Sequence, residues 1–285
     1  MRLFSFISII FILLACSGRD RPTTLPKNVD AQAITIELAD SLWSLRADTS
    51  HARAAREAYE ALSKLDSNSI EIWAKLARSF YFCGQYLTQS GHLRDSLFMR
   101  GYEVSQVILN KNPEYRNLLF STGDEKMAVR GLDADALEVL YWGMANYGQW
   151  LATKGDLVRL GQRELIWTTL EHIHDLDSTF YYGGYFRYKG ALLCRDPASQ
   201  VDTLAVRKVF DEAIKIAPEY LGNYTLMALY YCPLANDKNL FYQLLTKVVT
   251  ATPNPSLAYY PENLYEKVLA ERLMIRAEKE NWFSL

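Results

Sequence analysis

From residue 31 onward, apolar side chains return every third or fourth position, and that period leaves helix as the structure the chain can form. Ile34, Leu38, Leu42 and Leu45 mark a first helix. Ala54, Ala55, Ala58, Ala61, Leu62 and Leu65 mark a second, and Trp73, Ala77, Phe80, Tyr81 and Gly84 a third. Leu137, Leu140, Tyr141, Met144, Tyr147, Gly148 and Leu151 line a long central helix. Val206, Val209, Phe210, Ala213 and Ile214 fit the pattern i, i+3, i+4, i+7, i+8 without a miss. No segment sustains period-two alternation between hairpin turns. An all-α fold with almost no strand is therefore expected.

The helices also stop in a repeated way. Stops fall at Leu65-Asp66-Ser67, Asn112-Pro113-Glu114-Tyr115, Leu176-Asp177-Ser178, Ala217-Pro218-Glu219-Tyr220 and Thr252-Pro253, each followed by more helix-like sequence or by the chain's last segment. Their shortest intervals approach the ~34-residue tetratricopeptide (TPR) unit, and the longer ones leave room for insertions. Val206, Phe210, Ala213 and Pro218 match the second-helix spacing of that unit with one change. Ala54, Ala58, Ala61 and Asp66 match it more loosely, and Trp73, Leu76, Ala77 and Phe80 match the first-helix spacing. Small residues let two helices of a hairpin approach, and the proline or aspartate ends the second. The expected architecture is a degenerate TPR-like stack of helical hairpins, with a curved inner face and a possible central pore.

The N-terminus reads differently. Arg2 precedes an apolar run, Leu3 to Ala15, which is far shorter than the about 20 residues of a bilayer span. Its length is that of a signal-peptide core. Leu13-Leu14-Ala15-Cys16 followed by Ser17-Gly18 resembles the bacterial lipobox, which implies cleavage before Cys16 and lipid on its thiol. Acyl chains would then hold the protein to a membrane, each buried methylene contributing roughly 0.8 kcal/mol. Ser rather than Asp at position 17 favours the outer membrane, by analogy with Gram-negative lipoproteins. The organisation expected is residues 1–15 as signal peptide, 16–30 as lipidated cysteine and proline-containing tether, and 31–285 as one helical domain.

Composition and motifs narrow the chemistry. A net charge of −2 offers no basic excess for nucleic acid. Apolar residues at 49% are enough to bury a sizeable core. Beyond Cys16 only Cys83, Cys194 and Cys232 remain, which is no disulfide framework. Buried thiols are the simpler expectation, with a single Cys194–Cys232 bridge as the alternative. Glu171-His172-Ile173-His174 sets a carboxylate and an imidazole three apart, but a di-iron bundle needs two such pairs, and no second one is present. There is no phosphate loop, no nucleophile elbow and no zinc-protease motif. No catalytic residue, metal site or cofactor is expected, and the chain is not read as an enzyme. A helical toroid with two opposed carboxylates is the residual enzymatic reading.

The aromatics carry more. Tyr141 and Tyr147 lie on the apolar stripe of the central helix, whereas Trp142 and Trp150 lie off it. Residues off the stripe either pack against the next repeat or line an inner binding surface. Leu140-Tyr141-Trp142-Gly143-Met144-Ala145-Asn146-Tyr147-Gly148-Gln149-Trp150 and Tyr182-Gly183-Gly184-Tyr185-Phe186-Arg187-Tyr188-Lys189-Gly190 bring a resemblance into view. With the helix Val206 to Ala217, the stretch 218–224 and the segment Pro261 to Ala270, they resemble the TatT component of tripartite ATP-independent periplasmic (TRAP) transporters. The resemblance runs over roughly residues 95–282, and Tyr185 departs from a proline common there.

That resemblance implies a periplasmic lipoprotein with a TPR-like fold around a central pore, a homotrimer, and association with a periplasmic solute-binding protein. It implies an apolar or organic-acid solute. Trp142, Tyr147, Trp150 and Tyr182 are the candidate pore or ligand residues, and Arg187 the candidate for an anionic group, since a guanidinium binds a carboxylate bidentately. Arg187 as a structural ion pair or helix cap is the competing reading. The competing function is a TPR-type scaffold lipoprotein for outer-membrane protein assembly or secretion.

Overall fold

The computed structural model describes residues 34–196 and 201–283; the expected signal peptide, Cys16 and the tether lie outside the described residues. Among the described residues every regular element is helical. The chain runs through α1 (Ile36–Ser44), α2 (Thr49–Leu65), α3 (Ile70–Tyr86), α4 (Gly91–Leu109), α5 (Pro113–Thr122), α6 (Glu125–Arg130), α7 (Leu137–Leu151), α8 (Asp156–Leu176), α9 (Phe180–Arg195) and α10 (Thr203–Ile216). It continues through α11 (Gly222–Leu226), a π-helical turn at Met227–Tyr231, α12 (Cys232–Leu234), α13 (Lys238–Thr250) and α14 (Tyr260–Lys279).

The stops read from the sequence become caps. Asn112 accepts from the Tyr115 amide with Pro113 at the first helical position, so the stop after α4 is equally the start of α5. Asp66 accepts from the amides of Asn68 and Ser69 and turns the chain between α2 and α3. Asp48, Asp124, Asp202 and Asp237 each cap a helix N-terminus in the same way. A cap of this kind stabilises by about 1 kcal/mol.

Successive helices pack in pairs, α1 on α2, α2 on α3, α3 on α4, α9 on α10 and α13 on α14. The regular order breaks at α7, which passes over α5 and α6 to pack on both α3 and α4. That placement buries α7 on every side from Val139 to Tyr147. The stripe read from the sequence is thus only part of its packed surface: Trp142, Gly143, Ala145 and Asn146, off the stripe, are buried too. In α2 the buried face is Ala52, Ala55, Ala58, Tyr59 and Leu62, one step round from the Ala54–Ala58–Ala61 register, in which Ala54 and Ala61 are half-buried. Val206, Phe210 and Ala213 of α10 are buried as the spacing expects.

The two ends of the described chain meet. Arg46, just past α1, makes a bidentate pair with Glu262 of α14, at 3.2 Å from Nε and 2.6 Å from Nη2. Tyr265 of α14 donates to the Ala47 carbonyl at 3.0 Å and packs on Phe82 and Tyr86 of α3. These contacts tie α14 to the segment after α1 and to α3. No described helix is long and apolar enough to cross a membrane.

Candidate functional site

The interior is built around a backbone irregularity. At the start of α9, Tyr181, Tyr182 and Gly183 take φ of 47°, 60° and 78°, three left-handed residues in succession. Each non-glycine residue there costs roughly 1–2 kcal/mol, and such strain persists only where the surroundings over-determine it. Here they do. Arg187 Nη2 donates to the Tyr141 hydroxyl at 2.8 Å, and Nη1 donates to Asn223 Oδ1 at 2.7 Å and to the Tyr182 carbonyl at 3.3 Å. Asn223 Nδ2 donates to the carbonyls of Tyr182 and Ala213. A side chain at Gly183 would meet the Ala213 carbonyl oxygen at 2.9 Å, and one at Gly184 the Tyr141 hydroxyl at 2.5 Å. The Gly-Gly pair is thus a close-approach device for α10 on one side and α7 on the other.

The turn drives Tyr181 into the centre. Its ring packs on Trp142 at 4.5 Å and on Tyr141 at 5.4 Å, and its hydroxyl donates to Glu262 Oε1 at 3.2 Å. Arg78 reaches the same carboxylate oxygen at 3.3 Å. Burial, before any other cause, pushes Tyr141, Tyr181, Tyr188 and Tyr220 above the usual phenol range. These hydroxyls therefore stay protonated and serve as neutral partners. Glu262 is the acid that balances two guanidiniums. Glu266, one turn on, is buried; lost hydration raises its carboxyl, although the Tyr86 hydroxyl donates to Oε1 at 2.6 Å, and Oε2 has no partner.

The sequence candidates fall into two groups. Trp142, Tyr182 and Arg187 gather around Tyr181 and Tyr220: Tyr182 stacks on Tyr220 at 5.2 Å, and Arg187 lies over Tyr220 at 4.8 Å. Tyr147 and Trp150 form a separate stack with Tyr102 on the other side of α7. Trp142 is 1% exposed and Arg187 3% exposed, so both pack inside. Arg187 donates to the Tyr141 hydroxyl, to Asn223 Oδ1 and to the carbonyls of Tyr181 and Tyr182, all neutral oxygens, and so clamps the left-handed turn rather than serving as an ion pair or a helix C-terminal cap. Arg78, Tyr86, Trp142, Tyr181, Tyr220 and Glu262 surround a void of about 10 Å³, which holds a single water at most.

A cleft that sequence reading missed lies between α7, α8, α9 and the π-helical turn. It has about 100 Å³ of cavity, walled by Met144, Leu151, Ile166, Trp167, Leu192 and Leu226, with Tyr188 also in its lining. Three guanidiniums, Arg159, Arg163 and Arg195, stand among its lining residues against one carboxylate, Asp196. Arg163 donates from Nε and Nη2 to Asp196, at 2.9 Å and 2.6 Å. Arg195 donates to the Ala152 carbonyl at 2.8 Å, and Arg159 pairs with Asp156 while its Nε is buried without a partner. Gly148 lines the cleft from the last turn of α7, and a side chain there would meet open space. The signal existed in the spacing of Arg159, Arg163 and Trp167, which recur every four residues along α8. A larger, more open cavity of about 740 Å³ lies between α1, the start of α2 and the 255–261 segment.

The remaining motifs are structural. His172 Nε2 sits 2.8 Å from the Leu132 carbonyl, His174 packs on Tyr185, and Glu171 accepts from Tyr185 and Lys189. Among the described residues no group of side chains is placed to hold a metal ion. Cys83, Cys194 and Cys232 are free thiols, so the Cys194–Cys232 bridge does not form; burial pushes Cys83 up to about 11 and the other two up to about 12.

A protein-family model described as TRAP transporter T-component matches residues 92–280, more than half of the 285 residues and the whole of the arginine-rimmed cleft. No curated protein matches the chain.

Proposed function

Because the chain belongs to the TRAP transporter T-component family, we propose that it is the subunit of such a system that receives an organic acid with an apolar body, and that the cleft beside Gly148 is where the solute sits. The observation that carries this reading is the pairing of an apolar cavity with three guanidiniums among its lining residues. Apolar walls shield the body of a ligand, and a few placed polar groups orient it. A carboxylate is matched by the planar fork of an arginine, which binds it bidentately. Gly148 adds support. Glycine inside a helix costs roughly 0.5–1 kcal/mol relative to alanine, and no neighbour here requires it. Leaving the cleft clear is a reason to keep it.

The action is binding and hand-over, without bond chemistry. The chain carries out no hydrolysis and binds no nucleotide. It stands on the periplasmic side, held by lipid on Cys16 to a membrane, the outer one by preference, and it exchanges solute with a periplasmic solute-binding protein as partner. A homotrimer would place several clefts in one assembly. Tyr182 and Arg187 serve this reading indirectly, by fixing the base of α9, whose later turns carry Tyr188, Ala191, Leu192 and Arg195 into the cleft.

The test is an affinity pull-down of the full chain from periplasmic extract, with mass spectrometry of bound proteins and small molecules. A solute-binding protein together with a carboxylate-bearing solute is expected, and the solute is lost from a Gly148→Leu variant. Recovery of porin-like chains alone would overturn the reading in favour of the assembly scaffold.

A further inference from the structure

We infer that Met144 and Ile166 set the length of the solute, by forming a movable wall between the arginine-rimmed cleft and a second, smaller chamber behind it. The inference rests on the proposed solute site and adds its chemical class: an unbranched monocarboxylate whose tail points away from the arginines.

Met144 and Ile166 line both cavities. The second chamber, about 20 Å³, lies between α4, α6, α7 and α8 and is bounded by Leu109, Val129, Leu140 and Tyr147. Both shared side chains are 4% exposed, so each separates the two spaces rather than facing solvent. The cleft alone is modest beside the engineered cavity of about 150 Å³ that holds benzene. A body longer than a few carbons has to continue past Met144. Methionine suits a wall that yields, because its unbranched thioether repacks with little cost. At the far end the character changes. Glu125 and Gln106 line the chamber and both accept from the Tyr115 hydroxyl, at 3.2 Å and 3.3 Å. That polar end and the Tyr102–Tyr147 stack, with centroids 4.2 Å apart, close the chamber. With Met144 displaced the two spaces would join, and a straight apolar tail is the body narrow enough to extend from the cleft into the space so opened.

The geometry also divides the labour. The arginines recognise the carboxylate whatever follows it, and Met144 with Ile166 decides how much chain finds a dry place. Each methylene that gains such a place tightens binding by about fourfold.

The experiment is calorimetric titration of the purified full chain with straight-chain monocarboxylates from butanoate to dodecanoate. In the wild-type chain, affinity rises with length and then levels off. Met144→Ala moves that plateau to acids longer by about two to four carbons, the size of the side chain removed, and Met144→Phe moves it to shorter ones. Ile166→Val provides the same readout with a milder change of volume, should a Met144 variant fail to fold. Arg163→Gln weakens every length by a similar factor and leaves the plateau in place. A plateau that stays put in folded Met144 and Ile166 variants overturns the length-setting wall while leaving the site intact. Absence of binding across the whole series overturns both the wall and the proposed solute site.

Discussion

Arg187 and Asn223 meet at 2.7 Å, and each also reaches the carbonyl of Tyr182, which lies in the left-handed turn that neither side chain belongs to. The pair thus joins α9 to α11 through a strained segment between them. Replacing Arg187 by Met removes donors to Tyr141, Asn223, Tyr181 and Tyr182 together. Hydrogen bonds from a charged donor contribute about 1.5–3 kcal/mol each, and acceptors left buried without partners add a further cost. Thermal unfolding of Arg187→Met should fall by about 10 °C. Lysine, a point charge without the planar fork, should recover little of the loss. A Tm within 2 °C of wild type, by the scale of about 2–4 °C per kcal/mol, would mean that the turn is held by something else.

Gly183→Ala tests the same turn from the other side. The backbone φ of 78° is unfavourable for any side chain, and the new methyl would sit 2.9 Å from the Ala213 carbonyl oxygen. The left-handed conformation alone costs roughly 1–2 kcal/mol, and the clash with backbone, which cannot rotate away, adds to it. Denaturant unfolding should show a loss of about 2–4 kcal/mol, within the range of strain and overpacking effects. A loss smaller than 1 kcal/mol would show that α10 withdraws from the turn without cost.

How much of this was legible in the sequence depends on what the signal was made of. Asp66, Pro113, Asp177 and Pro218 marked helix ends well because capping and proline chemistry act within a few residues. The all-helical class followed from period alone. The surroundings of α7 did not. Trp142 sits off the apolar stripe, and only the passage of α7 over α5 and α6 onto α3 and α4 buries it. That is a tertiary choice with no local trace. Arg187 was found by its place beside Gly183 and Gly184, but a guanidinium reads the same whether it faces a solute or a ring of buried oxygens. The spacing of Arg159, Arg163 and Trp167 marked one wall of the cleft, but Met144, Leu192 and Tyr230 join that wall only through folding, so the cleft as a whole left no local trace.

Glu262 and Glu266 stand one turn apart on α14, and Glu266 should make stability depend on pH. Glu262 is fully paired with Arg46 and Arg78, whereas burial raises Glu266 above its usual value of 4.5 and leaves Oε2 unpartnered. For a carboxyl raised by folding, the native state binds the extra proton. Its burial therefore costs nothing below the unfolded value, and the cost grows as pH rises above that value and levels off once pH passes the folded one. The Tm of a Glu266→Gln variant should match wild type near pH 4, exceed it as pH rises above 4.5, and then hold a constant advantage. The amide still accepts from the Tyr86 hydroxyl. A gap that shrinks with rising pH would reverse the sign and sink the assignment.

Glu262→Gln should behave otherwise. It leaves Arg46, 4% exposed, and the neighbouring Arg78 without their shared counter-charge. Removing one partner of a buried pair costs about 3–5 kcal/mol. The loss should be visible at neutral pH as a lower Tm and should be largely independent of salt, since the pair is shielded from the ionic atmosphere. Strong relief by added salt would place the pair at the surface.

Gly148→Ala separates stability from binding at one atom. The residue sits inside α7, where glycine is disfavoured, and a methyl there meets nothing within 4 Å. In the empty protein the substitution should therefore stabilise by about 0.5–1 kcal/mol, through lower entropy of the unfolded chain. The same methyl would stand among the residues that line the cleft. Affinity for a straight-chain acid should fall, and Gly148→Leu should abolish it while the fold persists. Opposite movement of Tm and affinity is what a position kept open for a ligand requires. If alanine raises Tm and leaves affinity untouched, the solute does not lie against α7 at this turn, and the cleft loses its claim to be the site.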